Sequence, residues 1–239
     1  MNIQFNVLAK NVQNAKEIME VTDGHALIGI MVKHFPTVDD AVKTVQEFQS
    51  ENIPVSVGLG AGDPAQWERV VQVSVRTKPA HVNQIFPAAG YTIASLRSVK
   101  SEQTIVNAMI TPSGTPGKVF ISTGPVSQQY QEPVSCDLAA ALLAEIGVPS
   151  IKFYPIEGKK RLDEVAEMVK AAVRHQIYIF EPTGGIDVDS LPEIVKVCAE
   201  HGAKRIIPHI YTSIIDKETG FTRIEDVQAL AQSVSKLTL

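Results

Sequence analysis

The chain has 239 residues and a formal net charge of −4 at pH 7. An apolar fraction of 44% and a charged fraction of 20% are typical of a globular protein that buries a full core. The small negative charge and the lack of a basic stripe argue against nucleic acid or an anionic membrane as the partner.

Short apolar runs alternate with helical patterns along the chain. The first run, residues 26–32, is almost continuously apolar, as expected for a strand that is buried on both faces. The pattern that follows at 38–50 places its apolar side chains on one helical stripe. The same alternation predicts further strands at 55–59, 82–86, 104–110, 119–122, 151–154, 177–180 and 205–210, and further helices at 64–76, 137–146, 162–174, 190–200 and 224–236.

These elements predict an α/β fold. Eight predicted strands, mostly joined by helices, indicate a parallel sheet and favour a closed (β/α)8 TIM barrel over a doubly wound open sheet. No linker or low-complexity tract divides residues 1–239, so we interpret them as one domain. The connection at 111–117 contains no helix; fully extended it reaches about 23 Å, enough to return along the barrel wall. A local hairpin is the competing interpretation of this segment.

The sequence shows no sign of export or of membrane insertion. Residues 1–5 lack the basic and apolar regions of a signal peptide, and no apolar run reaches the roughly 18 residues of a membrane span. The two cysteines, Cys136 and Cys198, lie in helix-like apolar segments, which suits a reducing compartment better than a disulfide framework. We therefore expect a cytoplasmic protein that has no membrane partner.

A single lysine, Lys152, lies inside the sixth predicted strand. Lysine is almost never fully buried unless it is paired or has a chemical role. Burial lowers the pKa of the amine and leaves a nucleophile that can form a Schiff base with a ketone. The alternative is an edge-strand lysine whose stem is covered and whose ammonium reaches water.

A glycine-rich turn follows the seventh predicted strand. Residues 182–186 read Pro-Thr-Gly-Gly-Ile, a segment with little side-chain bulk and several backbone N–H groups. A helix that opens directly afterwards at 187–191 favours an anion site, and we therefore expect Thr183, Gly184 and Gly185 to bind phosphate. A plain strand-to-helix turn is the alternative. An amine nucleophile followed by a phosphate site suggests covalent chemistry on a phosphorylated sugar acid.

Two motifs carry a family resemblance. Residues 151–157, Ile-Lys-Phe-Tyr-Pro-Ile-Glu, resemble the KFFPAE motif of the bacterial 2-keto-3-deoxy-6-phosphogluconate (KDPG) aldolases, and residues 180–186 resemble their CPTGGI motif. The resemblance implies a class I aldolase on a (β/α)8 barrel. It also implies that Lys152 forms the Schiff base and that the glycine-rich turn binds the phosphate of the substrate.

Over its whole length the chain resembles a divergent bacterial branch, the KDGP aldolases of sugar-acid degradation, through segments such as 58–64 and 208–211. This resemblance implies cleavage of a small-molecule substrate, a phosphorylated 2-keto-3-deoxy sugar acid, into pyruvate and glyceraldehyde 3-phosphate. It also implies assembly as a homo-oligomer.

The resemblance suggests two candidates for the base that moves protons during cleavage. Glu157 matches the acid of the first motif and is the first candidate; Glu181 is the second, because the family usually shows no acid there. The short KDPG aldolases take their base from the second strand, whereas the predicted strand 55–59 has no acid. Either the base lies elsewhere or the strand count is shifted early in the chain.

Four further residues are candidates for substrate binding. Lys33 ends the first predicted strand and either pairs with the substrate carboxylate or is ordinary surface charge. Ser122 and Thr123 end the fifth predicted strand and offer donors to the pyruvate carboxylate. His209 lies in an apolar strand, where a core histidine with its hydrogen bonds satisfied, or one that supports the site from behind, is expected rather than a metal ligand; it is included among the substrate-binding candidates.

We expect no cofactor and no metal ion. The spacing of Gly58, Gly60 and Gly62 resembles a dinucleotide fingerprint, but the third glycine and the acidic partner are missing. No Cys/His cluster has zinc spacing.

Two other functions stay open. The first is a class II aldolase that binds a divalent cation through Glu157, Glu181 and Asp137, with or without His209. The second is a sugar-phosphate-binding barrel without catalysis.

Overall fold

The structure, a computed structural model, describes residues 2–235 and residue 237; the predicted end of the last helix at residue 236 lies outside this range. The strands are β1 (Asn2–Ile3), β2 (Phe5–Val7), β3 (Ala26–Met31), β4 (Val55–Gly58), β5 (His81–Ile85), β6 (Ile105–Pro112), β7 (Lys118–Phe120), β8 (Val134–Ser135), β9 (Ser150–Phe153), β10 (Ile179–Pro182) and β11 (Arg205–Ile206). The α-helices are α1 (Val12–Val21), α2 (Val38–Ser50), α3 (Trp67–Thr77), α4 (Phe86–Ser98), α5 (Cys136–Glu145), α6 (Leu162–Arg174), α7 (Leu191–Glu200) and α8 (Ile224–Ser235).

Nine of the strands form one closed parallel barrel. Neighbours follow the order β1-β11-β10-β9-β6-β5-β4-β3-β2. Strands β1 and β2 are separated only by Gln4; β1 pairs with β11 while β2 pairs with β3, so together they fill one position and close the barrel. The barrel therefore has eight strand positions, and the predicted (β/α)8 architecture is confirmed.

Two predictions about individual strands were wrong. One barrel strand was missed and one was predicted in excess, so the number of barrel strands is still eight. The first barrel strand, residues 2–7, was missed because polar Asn and Gln side chains interrupt its apolar residues. The predicted strand 119–122 is not in the barrel. Residues 118–120 form β7, which pairs antiparallel with the end of β6 and with β8, so the hairpin interpretation of the irregular connection is the correct one. The strand that carries Lys152, β9, is still the sixth of the barrel.

The barrel interior combines an apolar core with a belt of buried polar side chains. Strands β4 and β5 are buried at every position, and the helices cover the outside of the barrel with apolar residues such as Val45, Leu143 and Ile194. Inside the barrel lie polar side chains from seven strand positions, namely Asn6, Ser56, His81, Asn83, Asn107, Ser150, Glu181 and His209, none of them more than 4% exposed. Hydrogen bonds join these side chains into one continuous network, as expected for polar groups that are buried. In the described part of the chain, no helix is both long and apolar enough to span a membrane.

Candidate active site

A cavity of about 500 Å³ opens at the carboxyl ends of the barrel strands. This is the face at which TIM-barrel enzymes place their active sites. The residues that line it come from the ends of seven strand positions: Leu8, Met31, Lys33, His34, Gly58, Leu59, Gly60, Ala61, Gly62, Asn83, Lys152, Tyr154, Thr183, Gly184, Gly185, Ile186, His209, Tyr211 and Thr212. The cavity therefore brings Lys152 and the glycine-rich turn into one site.

Lys152 extends from β9 into this cavity. Its Nζ lies 3.1 Å from Oδ1 of Asn83, to which it donates. Burial lowers the pKa of the Lys152 amine to about 8, although the nearby carboxylate of Glu181 acts in the opposite direction. At pH 7 a pKa of about 8 leaves about one amine in ten neutral, compared with about one in 3000 for an ordinary lysine. The side chain is therefore a usable nucleophile near neutral pH.

Glu181 is a buried carboxylate directly beside Lys152. The two residues are register partners in the parallel pair of β10 and β9, so their side chains enter the barrel at the same level. Glu181 is fully buried and does not line the cavity. Its oxygens accept from Nε2 of His81 (2.9 Å), Nε2 of His209 (2.7 Å), Nδ2 of Asn107 (2.6 Å) and the hydroxyl of Ser150.

These donors keep Glu181 ionised. Burial raises the pKa of the Glu181 carboxyl, but the hydrogen bonds donated by His81 and His209 outweigh it and hold that pKa well below its usual range. Glu181 therefore supplies a fixed negative charge beneath the lysine. It is too enclosed to touch a substrate itself, so the structure does not support it as a base that contacts substrate.

The network around Ser56 fixes the orientation of Asn83. The Ser56 hydroxyl oxygen accepts from Nδ2 of Asn6 and Nδ2 of Asn83, each at 2.9 Å. Both of its lone pairs are thus used, so its own proton is donated to Nδ1 of His81 at 2.8 Å. His81 is consequently the neutral tautomer with its proton on Nε2, and Asn83 turns its carbonyl oxygen towards Lys152.

His209 and Tyr211 extend this network to the wall of the cavity. Nδ1 of His209 lies 3.1 Å from the hydroxyl oxygen of Tyr211, which is also 3.1 Å from Oδ1 of Asn6. Burial and the charge of Lys152 lower the pKa of His209 to about 3, so its imidazole is neutral. Burial and the carboxylate of Glu181 raise the pKa of the Tyr211 phenol. No sequence pattern marks Asn83, in the middle of β5, or Tyr211, in the segment that follows β11, and neither was predicted.

The glycine-rich turn approaches neighbouring backbone too closely for any side chain. Gly184 has a φ of +103° and Gly185 a φ of +69°. A Cβ on Gly185 would lie 2.8 Å from the backbone nitrogen of Gly158. Within the described residues, the amide N–H groups of Gly184, Gly185 and Ile186 have no hydrogen-bond acceptor. Free amide N–H groups at a cavity wall are suited to an anion.

Besides Glu181, three predicted site residues do not reach the cavity. Glu157 is exposed and pairs with Arg161 at 2.8 Å, and this pairing lowers its pKa, so the structure removes it as the candidate base. Ser122 and Thr123 line a separate hollow of about 230 Å³. Their hydroxyls donate to backbone carbonyls, Ser122 at 2.6 Å and Thr123 at 3.2 Å, so the structure does not support their prediction as ligands of the pyruvate carboxylate. Lys33 does line the cavity, where its Nζ lies 3.0 Å from Oδ2 of Asp63.

One group of possible metal ligands occurs in the described ranges: His81, Glu181 and His209, whose ligand atoms lie within 4.8 Å of one another. The hydrogen bonds do not suit an ion there. The proton that Ser56 donates to His81 leaves Nε2 of that imidazole protonated towards Glu181, so it has no lone pair for a metal. Asp137 pairs with Arg174 at 2.8 Å and does not line the cavity. The ligand set of the metal-dependent alternative is therefore not assembled.

Comparison with known proteins gives a consistent result. The sequence model of the family described as KDGP aldolase matches residues 1–218. A 2-dehydro-3-deoxy-phosphogluconate aldolase from Salmonella typhimurium is 43% identical over 236 residues, which cover 98% of this chain and 96% of the relative. Among solved structures, KGPDC from Streptococcus mutans superposes with a TM-score of 0.62 at 12% identity, covering 100% of both chains. Thiamine phosphate pyrophosphorylase from Pyrococcus furiosus superposes with a TM-score of 0.61 at 13% identity, covering 99% of this chain and 97% of the other. At such identities the structural likeness establishes the fold alone.

Proposed function

Because the chain belongs to the KDGP aldolase family, we propose that it is a cytoplasmic class I aldolase that acts through a Schiff base on Lys152. The substrate we propose is 2-dehydro-3-deoxy-6-phosphogluconate, and the products are pyruvate and glyceraldehyde 3-phosphate. One observation carries the proposal. The amine of Lys152, with a pKa lowered to about 8, enters the cavity that also contains the glycine-rich turn.

The Schiff base accounts for cleavage of the C3–C4 bond. The neutral amine of Lys152 attacks the C2 ketone, and loss of water gives a protonated iminium. The iminium withdraws electrons, so the C3–C4 bonding pair can move towards nitrogen and leave the enamine of pyruvate. Asn83 holds the amine before attack. The carboxylate of Glu181, which is itself shielded from water, balances the positive charge of the iminium.

The phosphate group of the substrate is assigned to residues 183–186 and to Thr212. These segments follow the seventh and eighth barrel strands, where TIM barrels commonly bind phosphate. The free N–H groups of the glycine-rich turn supply donors, and Lys33 is retained as a candidate partner of the substrate carboxylate.

We also expect a homo-oligomer, which light scattering coupled to gel filtration would detect. The exposed apolar side chains Tyr91 on α4 and Leu138 on α5 would suit such contacts.

A coupled assay tests the function as a whole. Pyruvate released from 2-dehydro-3-deoxy-6-phosphogluconate is followed by its reduction with lactate dehydrogenase and NADH. We expect turnover that persists after dialysis against a metal chelator, because the proposed electron sink is an imine. Loss of turnover on chelation, with recovery on adding a divalent cation, would indicate the metal-dependent alternative. Binding of the substrate without any pyruvate would indicate a barrel without catalysis.

The pKa of Lys152 leads to a specific pH dependence. The neutral amine is the reactive form, so kcat/KM should rise as the pH increases through about 8 and then level off. Asn83→Asp places a negative charge next to Nζ, which favours the ammonium form and should move the inflection to higher pH. Asn52→Asp, the same change at an exposed turn residue outside the cavity, should leave the inflection where it is in the wild type. If the inflection stays at the wild-type pH in Asn83→Asp, it does not report the ionisation of the Lys152 amine.

Gly184→Asp tests the phosphate assignment. The new carboxylate would stand where phosphate is expected, so KM should rise far more for the phosphorylated substrate than for 2-dehydro-3-deoxygluconate. Gly24→Asp is the matched control, because Gly24 also has a positive φ (+75°) but lies outside the cavity with no atom near its Cβ position. An equal rise of KM for both substrates in Gly184→Asp would place the phosphate elsewhere.

A further inference from the structure

Cleavage of the C3–C4 bond requires a group that takes the proton of the C4 hydroxyl. The described side chains that line the cavity include no carboxylate. Those among them that can titrate are Lys33, His34, Lys152, Tyr154, His209 and Tyr211. The base must therefore differ from an aspartate or glutamate that contacts the substrate.

We propose that Tyr211 accepts the C4 hydroxyl proton while it passes its own hydroxyl proton to His209, which Glu181 holds in position. Tyr211 is then the catalytic base, His209 receives the proton that Tyr211 gives up, and Glu181 positions His209. The inference rests on the proposed function and adds the group that completes its reaction.

The hydrogen bonds of His209 set the direction of proton transfer. Its Nε2 proton is committed to Oε2 of Glu181 at 2.7 Å, so Nδ1 carries a free lone pair. That lone pair faces the Tyr211 hydroxyl at 3.1 Å. The single hydroxyl proton of Tyr211 thus has two acceptors at equal distance, Nδ1 of His209 and Oδ1 of Asn6. A proton shared in this way can leave towards His209 without any movement of the ring.

Tyr154, the other tyrosine of the cavity, lacks this arrangement. Within the residues that the structure describes, its hydroxyl has no hydrogen-bond partner. A phenol that accepted a proton there would have no group to which it could pass its own. The geometry therefore distinguishes two side chains that sequence alone would treat alike.

The charges of the site balance throughout the step. The electron pair of the C3–C4 bond moves to the iminium, whose nitrogen becomes the neutral enamine nitrogen. The O–H bonding pair forms the C4 carbonyl, the proton goes to the Tyr211 oxygen, and the original phenol proton goes to Nδ1 of His209. One positive charge disappears at Lys152 and one appears on His209, and both positions adjoin the carboxylate of Glu181. The buried net charge stays constant.

The loss of positive charge at Lys152 also makes His209 more basic during the step in which His209 accepts the proton. The positive charge at Lys152 is one of the causes that lower the pKa of His209. Cleavage neutralises that charge, so the imidazole becomes more basic as the proton arrives.

Tyr211→Phe tests the assignment in the intact protein. We expect kcat to fall about 10²- to 10⁴-fold, the usual contribution of a positioned acid or base, while KM stays within about threefold. Borohydride should still trap pyruvate on Lys152, because imine formation does not involve the C4 hydroxyl. Tyr178→Phe removes a hydroxyl outside the cavity, on a ring that packs against Lys204, and should leave kcat unchanged.

Glu181→Gln tests the positioning role. The variant keeps the length of the side chain and removes its charge, so kcat should fall about tenfold or more with KM little changed. The inflection of kcat/KM with pH should also move below 8, since the carboxylate raises the pKa of Lys152. A purely structural role of Glu181 would leave that inflection in place.

Three results would overturn the inference. The first is a kcat of Tyr211→Phe within about threefold of wild type, and the second is a loss of 10² or more in Tyr154→Phe instead. The third is loss of pyruvate trapping in Tyr211→Phe, which would assign the phenol to imine formation. If the wild-type protein is not trapped either, the Schiff-base proposal itself fails and this inference fails with it.

Discussion

Lys152→Met is expected to lower kcat by at least about 10⁴-fold, which corresponds to about 5.4 kcal/mol of lost transition-state stabilisation. Methionine replaces the amine by an unbranched apolar chain of similar length, so the covalent route disappears while the cavity wall stays filled. The fold should be retained because the helices and strands do not depend on the amine. The measurement is pyruvate release in the coupled assay, together with thermal unfolding followed by circular dichroism.

Lys196→Met is the matched control for this variant. Lys196 lies on α7 and forms an exposed ion pair with Glu200 at 3.7 Å. Such helix pairs contribute about 0.3–0.5 kcal/mol, so both turnover and stability should stay close to wild type. Cleavage by Lys152→Met at more than about one thousandth of the wild-type rate would contradict a covalent role for Lys152.

The second large effect is expected in stability. Glu181→Ala removes the anion that accepts hydrogen bonds from both imidazoles, from Asn107 and from Ser150. Four buried donors then lose their acceptor at once, and removing one member of a buried charged network costs about 3–5 kcal/mol. We therefore expect the free energy of unfolding to fall by about this amount, measured by urea denaturation at pH 7.

The pH dependence separates this effect from simple loss of packing. The folded-state pKa of Glu181 is depressed, so its stabilising contribution is present above the unfolded value of about 4.3 and is lost as the pH falls towards the folded pKa. The stability difference between wild type and Glu181→Ala should shrink below about pH 4 for that reason. Glu167→Ala removes an exposed partner of Lys170 and should change stability by less than about 0.5 kcal/mol. A loss in Glu181→Ala no larger than in this control would contradict the network.

Sequence patterns were sufficient for the barrel and for two features that line its cavity. Strands buried on both faces read as apolar runs, which made the β3 and β9 regions visible. Lys152 stood out because it interrupts such a run, and the glycine-rich turn stood out because little else combines so small a side-chain volume with a following helix. Both predictions rest on local features.

The sequence does not reveal the polar belt, because the residues that form it are dispersed along the chain. Asn6, Ser56, Asn83 and Asn107 each lie on a different strand, and each looks like an ordinary polar residue in its own segment. They meet only because parallel strands in a closed barrel bring inward-facing positions to the same level. The same effect hid residues 2–7, where inward polar side chains break the apolar pattern of a true strand.

The failure of Glu157 as a candidate has a local cause. The residue has a φ of +56°, and the turn it makes leads into the segment 158–161, where Arg161 captures its carboxylate. Closeness to Lys152 in the sequence was therefore a poor guide to position, because five residues along a tight turn are enough to place a side chain outside the cavity.

The most direct test of the Schiff base is mass spectrometry after incubation with pyruvate and borohydride. A Schiff base on Lys152 predicts a gain of about 72 Da per chain, the mass of a reduced pyruvate imine, located by peptide mapping on Lys152 and absent from the Lys152→Met variant. An unmodified protein under conditions in which it cleaves its substrate, or an adduct on another lysine, would contradict it.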